Sequence, residues 1–381
     1  MLLIKNGYIK TMAGEDIKNG CILIDDNGKI AKLGEQIEVP SNAQIIDAEG
    51  RLVTPGCVEA HCHVGMGDLA GGDYNETSSA ITPEMRAIDG INPQHEAFAN
   101  ALRGGVTSVC TGPGSANVIG GTFAAIKCYG KRVDDMIIKD PIAMKCAFGE
   151  NPKRIHGQNG KAPKTRMGTA ALLREFLYKA KKYYEDKNSD TPPAFDFKLE
   201  AMIPVMAREI PLKAHAHKAN DIFTSIRIAK EFGLKLTLDH CTDGALIADE
   251  LAKEGYPAFV GPTMGGISKY ELLNKSFDTP ARLREAGVDI AIITDAGVIQ
   301  IQYLPLVAGM AARSGLPIDE AWKAITINAA NLTGIGDRVG SLEFGKDGDL
   351  VIWQADPLRE IGAESHMTII DGKVVYRAEQ N

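Results

Sequence analysis

Hydrophobic positions change their period along the chain. Over residues 1–55 they alternate with polar ones, and "CILIDDNGKIAKLG" sets an Asp-Asn-Gly turn between two alternating runs. That pattern predicts a hairpin. The last forty residues read the same way: "GDLVIW" is strand-like, and "MTIIDGKVVYR" folds around Asp371-Gly372. Neither end has strands enough to stand alone, so 1–55 together with 340–381 are read as one small β-sandwich domain. Between them, in 56–339, short apolar β-branched runs alternate with helical ones. The strand candidates are "VEAHCH", "VTSVCTG", "IAMKCAFG", "IPLKAHAH", "LKLTLDH", "YPAFVGP" and "VDIAIITD". The helical segments carry their own stops: "NPQHEAFANALRGG" opens on Asn92-Pro93 and ends on Gly104-Gly105, and "NDIFTSIRIAKEFG" and "GALIADELAKEG" close on glycine.

Repeated β-then-α units build a doubly wound sheet or a (β/α)8 barrel. No Gly-x-Gly-x-x-Gly follows the first strand, which counts against a dinucleotide-binding sheet. The reading is an α/β fold, a TIM-like barrel in 56–339. Seven strands are convincing. The eighth is sought in 118–140, where "TFAAIKCYG" and "DDMIIK" fit a strand or a hairpin insertion that would distort the barrel.

Composition narrows the field little. The 381 residues are 44% hydrophobic and 24% charged, ordinary for a globular enzyme. A net charge of −7 without a basic, aromatic-interleaved stripe argues against nucleic acid as a partner. No run nears the roughly 20 apolar residues that span a membrane, and the N-terminus lacks the parts of a signal peptide. Seven scattered cysteines with no Cys-x-x-Cys suit reduced, buried thiols. The expectation is a cytoplasmic enzyme of a small-molecule substrate, with a homo-oligomer left open.

The polar residues carry the chemistry. A barrel enzyme works at the C-terminal ends of its strands. His61 and His63 end the first strand candidate, Glu150 the third, His215 and His217 the fourth, His240 the fifth and Asp295 the last. In a strand, residues i and i+2 share a face, so each His-x-His offers two imidazoles together. Any one of these residues alone suits a core histidine, a helix cap or a solvent-facing pair. Five of the eight histidines at strand ends, with two carboxylates, give a donor set for zinc or a similar divalent ion. Cys62, between two of them, should point away into the barrel–helix layer. His95, His156 and His366 carry no assigned role.

"VTPGCVEAHCHVG" resembles the first-strand signature of the amidohydrolase superfamily. "TINAANLTGI" and "DRVGSLEFGKDGDLVIWQADPL" are similar to its last helix and its return to the β-domain. The imidazolonepropionase-like and N-acetylglucosamine-6-phosphate deacetylase-like branches are the nearest in kind. The resemblance implies that His61, His63, His215, His240 and Asp295 hold one or two divalent ions, zinc foremost. It also implies a bridging ligand on the third strand, either a glutamate or a carboxylated lysine. Glu150 is preferred because it sits at the strand tip, and Lys145, five residues earlier, reads as a core-edge or snorkelling lysine. His217 is assigned to polarising the substrate carbonyl.

The implied reaction is hydrolysis of a linear or cyclic amide, at a carbon–nitrogen bond other than a peptide bond, with dipeptidase-like chemistry left open. A bound ion lowers the pKa of water towards about 7, Asp295 takes the proton of the attacking water, and Asp295 then protonates the leaving nitrogen. Asn151, Arg154, His217 and Thr263 are the substrate-contact candidates. Arg154 belongs to a basic loop, "GENPKRIHGQNGKAPKTRMG", able to clamp a carboxylate or phosphate. The glycine-rich stretch after the first strand suits a lid. A ring deaminase and a non-catalytic barrel scaffold are the alternatives. The first lacks the usual His-x-x-Glu after His217, and the second would have lost ligands that are present here.

Overall fold

The computed structural model describes residues 1–68, 71–158 and 160–379. The terminal sheet takes Leu2–Ile9, Ile17–Ile24, Ile30–Gly34, Gln44–Asp47 and Leu52–Pro55 from one end of the chain. Leu350–Trp353, Ser365–Ile370 and Lys373–Arg377 come from the other. The ends interlock where Leu52–Pro55 runs antiparallel to Leu350–Trp353. One edge of Leu2–Ile9 is used twice, by Gln44–Asp47 along its first half and by Leu52–Val53 further on. The sheet splits there, and Ile4, Ile22, Ile24, Leu350, Ile352 and Ile369 belong to its own apolar core. Its Asp-Asn-Gly turn is held by Asp25, whose carboxylate accepts from the Asn27 and Lys29 amides. Gly28, at φ 76°, lies so near the Asp371 backbone that a Cβ would come within 2.7 Å of it.

The second sheet is the barrel. In chain order its strands are Cys57–Cys62, Val106–Thr111, Ile119–Lys127, Ile137–Ala147, Leu212–Ala216, Leu236–His240, Ala258–Val260 and Ile290–Ile292, and each pairs with the next. The strand sought in 118–140 is Ile119–Lys127, antiparallel to both neighbours. The link to the next strand holds only the 3-10 turn Val133–Asp135. Antiparallel strands need no crossover helix, so this part of the barrel is a meander and not a β/α unit.

No backbone ladder joins the first and last barrel strands among the described residues. One backbone bond crosses just beyond the strand ends, from the His63 amide to the Ala296 carbonyl (2.6 Å), and the Glu59 side chain closes the seam below it. One of its oxygens accepts from the Thr294 amide (2.8 Å) and hydroxyl (2.5 Å), and the other from the His61 amide (3.1 Å). Burial lifts the Glu59 carboxyl to about 7 against these bonds.

Helices pack outside through a large apolar layer. Cys62 lies in it with Phe98, Leu102, Leu173 and Ile222, as strand alternation predicts. Six of the seven cysteines are buried and all are free thiols. The first helix, Glu96–Arg103, starts later than its Asn-Pro signal, because Asn92 caps a turn onto Gln94 and His95 caps the helix. Inside the barrel, Val58, Ala60, Phe123, Phe259 and Ala291 form the apolar filling.

Candidate metal centre

The barrel strands gather five histidines at one end. The His240 ring lies 5.1 Å from His61, 4.4 Å from His215 and 4.9 Å from His217, centroid to centroid. His61 and His63 are 5.5 Å apart. Two donors sit on backbone that side chains seldom adopt: φ is 72° at His240 and 52° at Asp295. Such conformations cost about 1–3 kcal/mol and gather at functional sites. At His240 the twist has a local effect. Asp239 and His240 would face opposite sides of a regular strand, yet both bear on the site, with Asp239 Oδ2 2.9 Å from His61 Nδ1.

The hydrogen bonds fix where the lone pairs point. His63 Nδ1 is 2.7 Å from the Gly112 carbonyl and His240 Nδ1 is 2.8 Å from the Gly261 carbonyl. A carbonyl only accepts, so both rings carry a proton on Nδ1 and turn Nε2 towards the site. Asp295 Oδ1 then stands 3.3 Å from His63 Nε2 and 3.5 Å from His61 Nε2. Acceptors this close need a proton or a cation between them. Corners of a tetrahedral zinc site with bonds of about 2.0–2.1 Å are about 3.3–3.4 Å apart. His240 Nε2 and Asp295 Oδ1 are buried without a hydrogen-bond partner. The donor set therefore fits a divalent ion.

Electrostatics agree. Burial, with Lys145 nearby, holds His61 well below the usual histidine range. Burial and neighbouring imidazoles do the same for His215, and burial and His240 for His217. Burial also brings His240 down to about 4. Neutral imidazoles are the form a metal binds. For Asp295, burial pushes upward, but the imidazole of His63 and those of His240 and His61 around it outweigh it and keep the carboxyl well below the usual range.

A second donor group is His215, His217 and Glu271. Glu271 Oε1 accepts from the Glu150 amide (2.6 Å) and from Arg166 (3.2 Å), while Oε2 pairs with Lys269 at 3.2 Å. Both histidines line a cavity of about 280 Å³ with His63, Asp295, Asn151 and Arg154. His217 Nδ1 meets the Thr242 hydroxyl at 2.8 Å, and Tyr74 stacks on His63 at 4.8 Å.

The family model described as "Amidohydrolase family" matches residues 52–375. The chain belongs to the amidohydrolase family. An amidohydrolase from Thermotoga maritima MSB8 superposes with a TM-score of 0.95 at 39% identity, over 99% of this chain and 100% of that one. Amidohydrolase tasK of Hapsidospora irregularis is 30% identical over 94% of this chain, which spans only 40% of that relative's length. Imidazolonepropionase of Sphingopyxis alaskensis is 27% identical over 97% of this chain and 96% of its own.

Within this amidohydrolase the residues expected at the site are mostly assembled, with one exchange. Glu150 belongs to neither donor group among the described residues. It opens the helix Glu150–Gln158, and its amide is tied to Glu271. Lys145 takes the inner position instead. It is fully buried, with Nζ 3.3 Å from His61 Nε2 and 3.5 Å from Asp239 Oδ2. It is neither at a core edge nor snorkelling, because the pleat of Ile137–Ala147 aims it into the barrel.

The basic loop is in part that same helix. Asn151 and Arg154 lie on it and line the cavity. Asn151 Nδ2 reaches Ser115 (2.8 Å), and no hydrogen bond or ion pair engages the Arg154 side chain among the described residues. At Thr263 the cavity wall is the preceding Pro262, and the threonine hydroxyl is buried without a partner. Of the lid segment, Leu69 and Ala70 lie outside the described residues. His156, with no assigned role, is buried against Asn117 at 2.9 Å. Asp239, Lys213 and Glu271 went unread in the sequence.

Proposed function

We propose that this chain hydrolyses the C–N bond of a linear or cyclic amide, using zinc held by His61, His63, His215, His240 and Asp295. One observation carries the reading: Asp295 Oδ1 faces the lone pairs of His61 and His63 at 3.5 and 3.3 Å, on the wall of the cavity. A bound divalent ion supplies Lewis acidity at the carbonyl and acidifies water at neutral pH. Asp295 takes the proton of the attacking water on its carboxylate and passes it to the departing nitrogen. Water and amide thus give an acid and an amine. His217, anchored through Nδ1 on Thr242, turns Nε2 to the cavity and steadies the developing oxyanion. Asn151 and Arg154 line the wall where a substrate's polar or anionic end would rest.

Buried charge supports Lys145, not Glu150, as the inner ligand, in its carboxylated form. Two fully buried ammonium groups, Lys145 and Lys213, share the single carboxylate of Asp239 at 3.5 and 3.2 Å. The Lys145 ammonium gives up one proton to become an amine, and adding carbon dioxide to that amine releases a second and leaves a carbamate. The excess cation becomes an anion facing the ligands, and Lys213–Asp239 is left as a neutral pair. With a carbamate at Lys145 beside the imidazoles, these residues would hold one or two ions.

The test is metal content. Protein purified without chelator should carry zinc or a similar ion and hydrolyse members of an amide library. Protein without metal, taking up neither zinc nor manganese, overturns the reading.

A further inference from the structure

Beneath the histidines lies a pair of charges that the proposed chemistry does not use. Lys213 and Asp239 are both buried, at 1% and 0% exposure. Lys213 Nζ is 3.2 Å from Asp239 Oδ1 and 3.2 Å from the Ala60 carbonyl, and lies 3.9 Å from the centre of the Phe259 ring. The other oxygen of Asp239 lies 2.9 Å from His61 Nδ1, close but off the line of a hydrogen bond, while the Lys145 ammonium donates to His61 Nε2 at 3.3 Å. Four barrel strands thus meet at this pair: Cys57–Cys62 through Ala60 and His61, Leu212–Ala216 through Lys213, Leu236–His240 through Asp239, and Ala258–Val260 through Phe259.

As a source of stability such a pair is poor. Desolvating two charges roughly cancels their attraction, and well-packed apolar residues often do as well. What the pair delivers is direction. A carboxylate 2.9 Å from Nδ1 favours the proton there, and Lys145 donating to Nε2 requires it, which leaves Nε2 as the lone-pair donor facing Asp295. Lys213 in turn fixes the carboxylate and neutralises it, and its bond to the Ala60 carbonyl anchors the residue before His61.

We propose that Asp239, held by Lys213, is the positioning residue that presents His61 to the metal, so that the pair sets metal affinity and not only the stability of the barrel. This rests on the metal-dependent reading above.

Four proteins test it: wild type, Asp239→Asn, Lys213→Met and the double variant. Each is stripped of metal, melted, and titrated with zinc against a chromophoric chelator. Asp239→Asn should weaken zinc binding about 10–100-fold. Lys213→Met should lower the melting point of the metal-free protein by leaving a buried carboxylate exposed to no cation but Lys145. The double variant removes both charges, so its metal-free melting point should return towards wild type while zinc binding stays about 10–100-fold weak. A double variant that binds zinc like wild type overturns the proposal, because the pair is then structural only. Wild type that takes up no zinc is a different failure, that of the metal-dependent reading itself. A measurement on wild type holds even where a variant does not fold. In metal-free protein labelled with ¹⁵N-histidine, the resonances lost in His61→Gln should be those of an Nδ1–H tautomer. An Nε2–H tautomer at His61 refutes the positioning role.

Discussion

Lys127 ends the third barrel strand, nearly buried, with its ammonium 2.7 Å from Asp347, 2.8 Å from Asp349 and 2.8 Å from Asp371. All three carboxylates lie in or beside the terminal sheet, so this one cation joins the barrel to it. Lys127→Met keeps the length of the side chain and removes the charge. Asp347 retains Arg338 and Lys29, and Asp371 is about half exposed, 47%, and keeps water. Asp349 is left worst off. Burial lifts its carboxyl to about 6 even with Lys127 beside it. Removing one partner of a buried pair costs about 3–5 kcal/mol. At about 2.1 cal/mol/K of unfolding entropy per residue, a chain this long should melt roughly 4–6 °C lower.

The sign with pH follows from the raised carboxyl. An unfolded aspartate titrates near 3.9. The contribution of Asp349 is therefore fully present below about pH 4 and is lost as pH rises through about 6. Without Lys127 the Asp349 carboxyl is raised further, and taking up a proton relieves its buried charge more readily at about pH 5 than at about pH 7.5, so the deficit should be smaller at the lower pH. Scanning calorimetry at both values measures it. A melting point within about 1 °C of wild type at the higher pH refutes the reasoning. So does a deficit that grows on acidification.

Three further outcomes are expected. Asp295→Asn, assayed with zinc in excess so that loss of one ligand does not empty the site, should lower kcat per bound metal by about 10²–10⁴; full turnover would remove the proton-shuttle role. Zinc at about 100 times its Kd should stabilise the metal-free protein by about 2.7 kcal/mol, and the His61→Asn/His63→Asn variant should lose most of that gain in the same melting assay. Arg154→Ala should raise KM about 10–100-fold for amides carrying a carboxylate, through loss of a charged hydrogen bond of about 1.5–3 kcal/mol, and leave neutral amides unaffected; equal effects on both would deny Arg154 the anion.

Strand period made the two His-x-His pairs legible, and the convergence of His240 and Asp295 followed from the rule that barrels work at their C-terminal rim. The places where the structure differs from the reading of the sequence have local causes. Lys145 looked too deep to matter because the position of a strand's tip says nothing of which way the pleat aims a side chain. Glu150 read as a strand tip and opens a helix instead, because the two are adjacent in sequence. Asp239 was hidden by the left-handed backbone at His240, which breaks the alternation used to assign faces. Glu271 sits between its strand and the next helix, where no period marks it. The antiparallel strand was half visible, as an ambiguity in 118–140.

That strand bears on how the chain folds. Parallel neighbours in a barrel wait for a crossover to be threaded between them, and closing a longer loop costs more entropy. Val106–Thr111, Ile119–Lys127 and Ile137–Ala147 meet through short links alone, so three adjacent staves can assemble before any distant strand arrives. Local contacts of this kind speed folding. The meander would then be the edge onto which the remaining staves are laid, with the Glu59 seam on its far side the last place to close.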